Sequence, residues 1–176
     1  MEENMTIRKA TDADFSRILE IYAAARAFMC RSGNPTQWPD GYPQPDIVAQ
    51  DMEKGYLYVM TEGGRIYGCF MLCDGPDVTY QQIFDGQWGY DTPYGVIHRV
   101  AGDGTKRGVV AACAAFARQY YRHLRIDTHR DNLPMQRSLR SAGFTHRGTI
   151  FLENGDPRLA YDWADTVAPP APDPQG

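Results

Sequence analysis

Several familiar signals are missing from this chain, and each absence removes a class of function. No apolar run is long enough to cross a bilayer, which argues against a membrane protein. The opening MEENMTIRK has no apolar core of a secretory leader. Excess positive charge is missing too: 18 Lys and Arg face 22 Asp and Glu, for a net charge of −4, so the electrostatic footprint of a nucleic-acid binder is lacking. The four cysteines, Cys30, Cys69, Cys73 and Cys113, include no CxxC pair. Reduced, mostly buried thiols in a cytoplasmic protein are the expectation, with no metal. There is no internal repeat. Both common phosphate-binding signatures, GxxxxGK[ST] and GxGxxG, are absent as well.

What is present reads as one globular domain. The 176 residues are 43% hydrophobic and 23% charged, enough for a sizeable core. MTIRKA alternates as a strand. Thr11 and Asp14 then form a shortened capping box before apolar residues at helical spacing, Phe15, Ile18, Leu19, Tyr22, Ala25 and Met29. NPTQWPDGYPQP is a loop, and DIVAQDMEKG a short helix that stops at Gly55. LYVMTEGGRIYGCFMLCDG is a hairpin turning at Gly63-Gly64. DVTYQQIFDGQW has no clear period beyond a helical turn. GVIHRVA is a strand, followed by a helix whose buried stripe is Val109, Val110, Cys113, Phe116, Ala117 and Tyr120. HLRIDTH is a strand and NLPMQRSLRSAG a helix capped by Asn132 or Asp131. FTHRGTIFLE and RLAYDW close the domain as a hairpin. The order predicts an α/β or α+β layered fold, a mixed sheet with helices on its faces, over residues 1–165. The Pro-rich end, residues 166–176, is expected to be a disordered tail.

The most informative stretch is GDGTKRGVV, residues 102–110, between the strand YGVIHRVA and the helix AACAAFARQYY. A strand that passes through a glycine turn into a helix presents unpaired N–H groups and the positive end of the helix dipole, a seat for phosphate. Lys106 and Arg107 add full charges. A tight turn with no ligand is the plain alternative.

That loop, together with LRIDTHRDNLPMQRSLRSAGF at its spacing, resembles the GNAT-type N-acetyltransferases. The likeness runs from TIRKATDADFSRILEIY to the closing DPRLAYDW. It implies a GNAT-like acyl-CoA N-acyltransferase fold with a mixed, mostly antiparallel sheet, and acetyl-CoA as acyl donor. In the family, the loop matching Thr105, Lys106, Arg107, Gly108, Val109 and Val110 holds the pyrophosphate through backbone N–H groups. The preceding strand splays from LRIDTH to receive the pantetheine arm. An Asn in the position of Asn132 commonly touches that arm. Two departures stand out. Thr105 replaces the usual long polar residue and Val110 a small one. Leu139 stands where many members carry a Tyr that protonates the leaving thiolate.

Transfer to an amine requires aim, a neutral nitrogen and donors for the oxygen that gains charge. The N–H groups near Val100 and Ala101 are the candidate donors. Candidates for acid–base work are His98, Asp127 and His129, with Tyr161 as a spare acid. Each has a structural alternative: a hydrogen-bonded His98, an Asp127 paired with Arg99 or Arg125, a solvated His129. Strand alternation puts His98 on one face with Val96 and Val100. Trp38 and Tyr42, on the proline-stiffened loop where the family sets acceptor specificity, are candidates for the acceptor pocket wall. The partners expected are therefore acetyl-CoA and an amine-bearing small molecule or peptide, with no nucleic acid and no membrane; a homodimer is compatible with the sequence. A CoA-binding sensor with weak or no catalysis, and a module binding some other phosphate, stay open.

Overall fold

The computed structural model describes residues 4–165; the expected tail, residues 166–176, lies outside the described residues. Seven strands form one sheet: β1 (Thr6–Lys9), β2 (Leu57–Glu62), β3 (Arg65–Asp74), β4 (Gly95–Gly102), β5 (His123–Thr128), β6 (Thr145–Phe151) and β7 (Pro157–Ala164). Their spatial order is β1-β2-β3-β4-β5-β7-β6, and every neighbouring pair is antiparallel except β4 with β5. The helices are α1 (Phe15–Arg31), α2 (Pro45–Glu53), α3 (Val109–Ala117) and α4 (Leu133–Ser141). The element order is the one the sequence periodicity predicts. Among the described residues no helix is long and apolar enough to cross a membrane.

Three cores cover the sheet, one of them small: Tyr80, Val96, Ile150 and Ala160. On one face Ile18, Ile21 and Tyr22 of α1 and Val48 of α2 pack on Leu57, Val59 and Cys69. On the other, Cys113, Ala114 and Ala117 of α3 and Leu139 of α4 pack on Phe70, Ile97, Leu124, Ile126 and Tyr161. Tyr120 is a correction to the expected α3 stripe. The helix ends at Ala117, so Tyr120 leaves its period and is 64% exposed. All four thiols are free; Cys69 and Cys113 are buried, Cys73 is half-buried and Cys30 is exposed.

Two features shape the centre of the molecule. First, β4 and β5 pair only at Gly95↔Leu124 and Val96↔Arg125, so the rest of that strand edge opens into a split. Second, β4 carries a bulge: the register against β3 shifts between Met71↔His98 and Cys69↔Ala101, and Arg99 adopts a left-handed φ of 52°. The bulge corrects the expected alternation. Val100 packs into the α3–α4 core, whereas His98 faces the opposite side with Val96's neighbour Tyr80. Arg99 is held there by Asp51 of α2, with Nε and Nη2 each donating over 2.8 Å, while its carbonyl accepts from the Tyr22 hydroxyl at 3.1 Å.

Candidate active site

A groove of about 390 Å³ runs from the α1 face past the end of β4 to the starts of α3 and α4. Val100, Ala101, Lys106, Val109, Val110 and Asn132 line it, as do Phe28 and Met135. Part of the glycine loop, Gly102, Asp103, Gly104 and Lys106, borders it. Gly104 and Gly108 have φ of +85° and +82°, and a Cβ on either would meet no atom within 4 Å. They serve the turn by their conformation, and the space above them is open. The first bond into α3 is Ala112 N–H to the Gly108 carbonyl, at 2.9 Å. Among the described residues the N–H groups from Lys106 to Ala111 donate to no protein acceptor. That is the concave array of donors which an anion requires.

The side chains of the loop are arranged differently from the sequence expectation. Lys106 ion-pairs with Glu62 and lies over the Tyr67 ring, so its charge is already shared. The Thr105 hydroxyl and N–H both donate to Asp103 Oδ1, at 2.6 and 2.9 Å. Asp103 Oδ2 accepts from Arg17 and Arg65, each at 2.6 Å. Burial opposes ionisation of Asp103, but the Thr105 hydrogen bonds and the two guanidinium groups outweigh it and hold its carboxyl below the usual range. Arg107 is exposed and, with Gly108, does not line the groove.

The antiparallel register decides which N–H groups face the split. Asp103 N–H donates to the Tyr67 carbonyl, so the pairs 67/103 and 69/101 are the hydrogen-bonded ones. Ala101 N–H therefore points to β3, which corrects its candidacy as a donor. Val100 lies in the bulge, beyond the last β4–β5 pair, and lines the groove.

From one strand of the split to the other, the structure brings together two sequence candidates and two residues that sequence reasoning missed. His98 Nε2 lies 2.7 Å from Asp77 Oδ2, and His98 Nδ1 lies 3.9 Å from Asp127 Oδ2. The buried Tyr80 donates its hydroxyl to Asp127 Oδ2 at 2.6 Å. Asp77 also accepts from the N–H and hydroxyl of Thr79, at 2.9 and 2.6 Å. Burial pushes the Asp77 carboxyl up, yet the His98 and Thr79 bonds bring it down to about 2. Burial and the neighbouring Asp127 raise the Tyr80 phenol well above its ordinary value. Asp77 caps, and Tyr80 ends, a 3₁₀ turn, Val78–Tyr80, in the long β3–β4 connection. The one local signal for it is the Asp77-x-Thr79 spacing of a side-chain-capped turn.

The remaining candidates have other work. Asp127 pairs with neither Arg99 nor Arg125: Arg99 is taken by Asp51, and Arg125 stacks between Trp88 and Tyr94, 4.1 and 4.0 Å from their centroids. His129 Nδ1 accepts from Asp131 N–H at 3.0 Å, so its Nε2 carries the proton and faces Thr36 at 3.3 Å. With its lone pair used, and its pKa lowered by burial and by Arg158, His129 ties a loop rather than acting as a base. Asn132 caps α4 by accepting from Met135 N–H at 3.1 Å, and its amide donates to Gln37 at 2.8 Å. Trp38 is a buried core residue, edge-on to Tyr22 and Tyr42 at 5.7 Å each, not an exposed wall. Tyr42 is half-buried, and its hydroxyl accepts from Arg99 at 3.2 Å. Tyr161 is buried with Leu139 in the α3–α4 core and does not line the groove, which removes it as the spare acid.

A solved acetyltransferase of the GNAT family from Streptococcus agalactiae superposes with a TM-score of 0.83 and 28% identity, over 94% of this chain and 98% of that one. The chain belongs to the GNAT superfamily. Other members of the fold are more distant in sequence. The aminoglycoside acetyltransferase AAC(6')-Ib, solved with coenzyme A and kanamycin, gives a TM-score of 0.62 at 17% identity over 92% and 95% of the two chains. The Salmonella typhimurium protein yncA, solved with acetyl-CoA, gives 0.61 at 20% over 96% and 99%. No protein-family model matches the chain, and no curated protein matches it. The GNAT superfamily architecture accounts for the single parallel strand pair and the split it opens. The open donors over Gly104 and Gly108, and the apolar groove leading from them, fit a phosphate-bearing acyl carrier such as CoA.

Proposed function

We propose that the chain transfers an acetyl group from acetyl-CoA to the nitrogen of an amine, which attacks the thioester directly. Bound acetyl-CoA supplies the activated acyl group. The backbone of residues 106–111 holds its phosphates, and Met135 and Phe28 flank its path along the groove. Val100 N–H is the donor for the oxygen that gains charge, a contribution of about 3 kcal/mol. His98 removes the amine's proton, and fixing the two reactants against one another supplies up to about 7–11 kcal/mol. The single observation that carries this reading is the split between β4 and β5, with the groove reaching Val100 at its edge and His98 of β4 facing Asp127 of β5. The acceptor belongs on the side of His98, Asp77 and Tyr80.

A thiol-release assay over a broad amine panel tests the activity, and thermal shift with acetyl-CoA tests the binding that underlies it. Turnover of at least one amine, with a raised melting temperature, is expected. A raised melting temperature without any turnover favours the second reading, a CoA-binding module that does no chemistry. Leu139 is the residue in its favour, since its buried alkyl side chain supplies no proton.

A further inference from the structure

The long connection between β3 and β4 crosses the split that divides the sheet. β3 and β4 lie on one side of it, and β5, β7 and β6 on the other. Residues 75–94 leave β3 and reach as far as β6, where Phe84 and Thr149 exchange both backbone hydrogen bonds at 2.8 Å. They return over β7 and β5. Gly89 N–H donates to Asp162 Oδ2 at 2.8 Å. Arg125 stacks on Trp88 and Tyr94 and donates to the Tyr90 carbonyl at 3.1 Å. His123 Nδ1 lies 3.1 Å from both the carbonyl and the hydroxyl of Thr92. The neck closes at Tyr94, whose carbonyl and hydroxyl accept from the N–H groups of Gly75 and Asp77, at 2.9 and 3.0 Å.

A connection this long is costly to order, and this one is fastened to every strand it crosses. Its backbone lies directly on that of β6. A Cβ on Gly86 would come within 1.9 Å of the Arg147 carbonyl oxygen, and one on Gly148 within 2.6 Å of the Phe84 carbonyl oxygen. The fastening on β7 is ionic. The Asp162 side chain is fully buried, its Oδ1 accepts from Arg147 Nε at 2.7 Å, and His123 Nε2 lies 3.8 Å from its Oδ2. Burial pushes the Asp162 carboxyl up, but His123, Arg147 and the Gly89 N–H outweigh it and hold it below its ordinary value. A buried carboxylate depends on each of its donors, because losing one leaves charge uncompensated.

This connection also reaches both walls of the split. Trp88 Nε1 donates to the Tyr80 carbonyl at 3.0 Å, and the Tyr80 hydroxyl donates to Asp127 Oδ2 on β5 at 2.6 Å. Three residues earlier, Asp77 Oδ2 meets His98 Nε2 on β4 at 2.7 Å. The Tyr80 ring packs with Val96 of β4 and with Ile150 and Ala160 of the far half. Strand pairing ends at Val96↔Arg125, so no ladder bond sets the spacing between His98 and Asp127. The turn that touches both does. We propose that residues 75–94 are a strap that sets this spacing across the split, with Asp162 and Trp88 as positioning residues that seat Tyr80. The inference rests on the acetyl-transfer reading above, in which His98 takes the amine's proton. Neither Asp162 nor Trp88 touches a reactant. Asp162 fixes Gly89, the neighbouring Trp88 fixes Tyr80, and Tyr80 holds Asp127 beside the His98 ring.

Two measurements test this. Asp162→Asn keeps the side chain's shape but sets an amide N–H against one of its two donors, Gly89 or Arg147. In protein carrying ¹³Cζ-tyrosine, the Tyr80 and Tyr161 signals are identified by their loss in Tyr80→Phe and Tyr161→Phe. Asp162→Asn is expected to shift Tyr80 and to leave Tyr161, in the α3–α4 core, in place. An unmoved Tyr80 in folded protein, or equal movement of both, overturns the strap whether or not the enzyme turns over. Kinetically, kcat for the best amine of the panel is expected to fall about tenfold in Trp88→Phe, with KM for acetyl-CoA unchanged. Tyr80→Phe falls at least as far, and adding Trp88→Phe to it costs nothing more. Losses that multiply overturn the positioning role, and so does a lowered melting temperature with kcat intact. If Asp162→Asn does not fold, this cycle decides. No turnover of any amine, with the Tyr80 shift present, removes the acetyl-transfer reading and keeps the strap.

Discussion

At the scale of single residues, Asp77 and Leu139 carry the clearest expectations. Asp77→Asn takes a carboxylate acceptor away from His98 Nε2. kcat/KM for the amine is expected to fall about tenfold or more with acetyl-CoA binding unchanged, and Asp77→Glu to restore part of the loss. An Asp77 that mattered only for folding would lower the melting temperature and leave kcat/KM of the folded protein in place. Leu139 is fully buried in a packed core. Leu139→Tyr, which writes in the residue that the family resemblance leads one to expect, is expected to destabilise by about 1–3 kcal/mol through overpacking rather than raise kcat. Denaturant melts and a rate at saturating amine check both halves. His98 and Asp127 were legible in the sequence because each stands in a recognisable strand. Asp77 and Tyr80 were not, since they reach the site from a connection with no apolar period, and only the closed fold brings that connection to β5. Tyr161 was misplaced for the converse reason. Its strand was read correctly, but a strand alone does not say which of its two faces borders a groove.

At the scale of elements, the turn into α3 and the turn into α1 make opposite uses of charge. The first leaves its donors open. Gly108→Asp places bulk and a carboxylate at those donors, and is expected to abolish the thermal shift by acetyl-CoA while the protein stays folded. Retained affinity in a folded Gly108→Asp variant would put the phosphates elsewhere. The second turn is closed. Asp14 Oδ2 accepts from Thr11 N–H at 2.8 Å and from Arg8 at 2.7 Å, and these contacts, Arg8 foremost, bring its carboxyl down to about 2. A lowered folded-state pKa stabilises above the unfolded value of about 3.9 and ceases to do so as pH falls. Asp14→Asn is therefore expected to be less stable than the wild type at neutral pH, by about 1 kcal/mol for a lost cap contact. The gap should narrow between pH 4 and 2 in urea melts. Element identities were readable because their apolar periods are strong. The bulge at Arg99 was not. HRVA reads as even alternation, and only the Asp51 side chain on another helix explains why Arg99 accepts a left-handed backbone.

At the scale of the whole molecule, chain order was legible and strand order was not. Periodicity gives elements in sequence, but nothing local says that β7 inserts between β5 and β6, or that β4 and β5 share just two residue pairs. The loop at residues 34–42 shows the same limit. Its prolines and aromatic residues mark it as a loop, yet Gln37 accepting from both Asn34 and Asn132, and Thr36 meeting His129, tie it to the start of α4. Asn132, expected from the resemblance to be a cofactor contact, is in the fold a cap of α4 and a fastening for this loop.

The short pairing of β4 with β5 has a mechanical consequence. Strands β1 to β4 form one panel and β5 to β7 another, seamed at one end and unstitched along the rest. In the proposed complex, a ligand arm carrying amides along the open edge would stand where a strand backbone is missing, and so would stitch the two panels together in the act of presenting its acyl group.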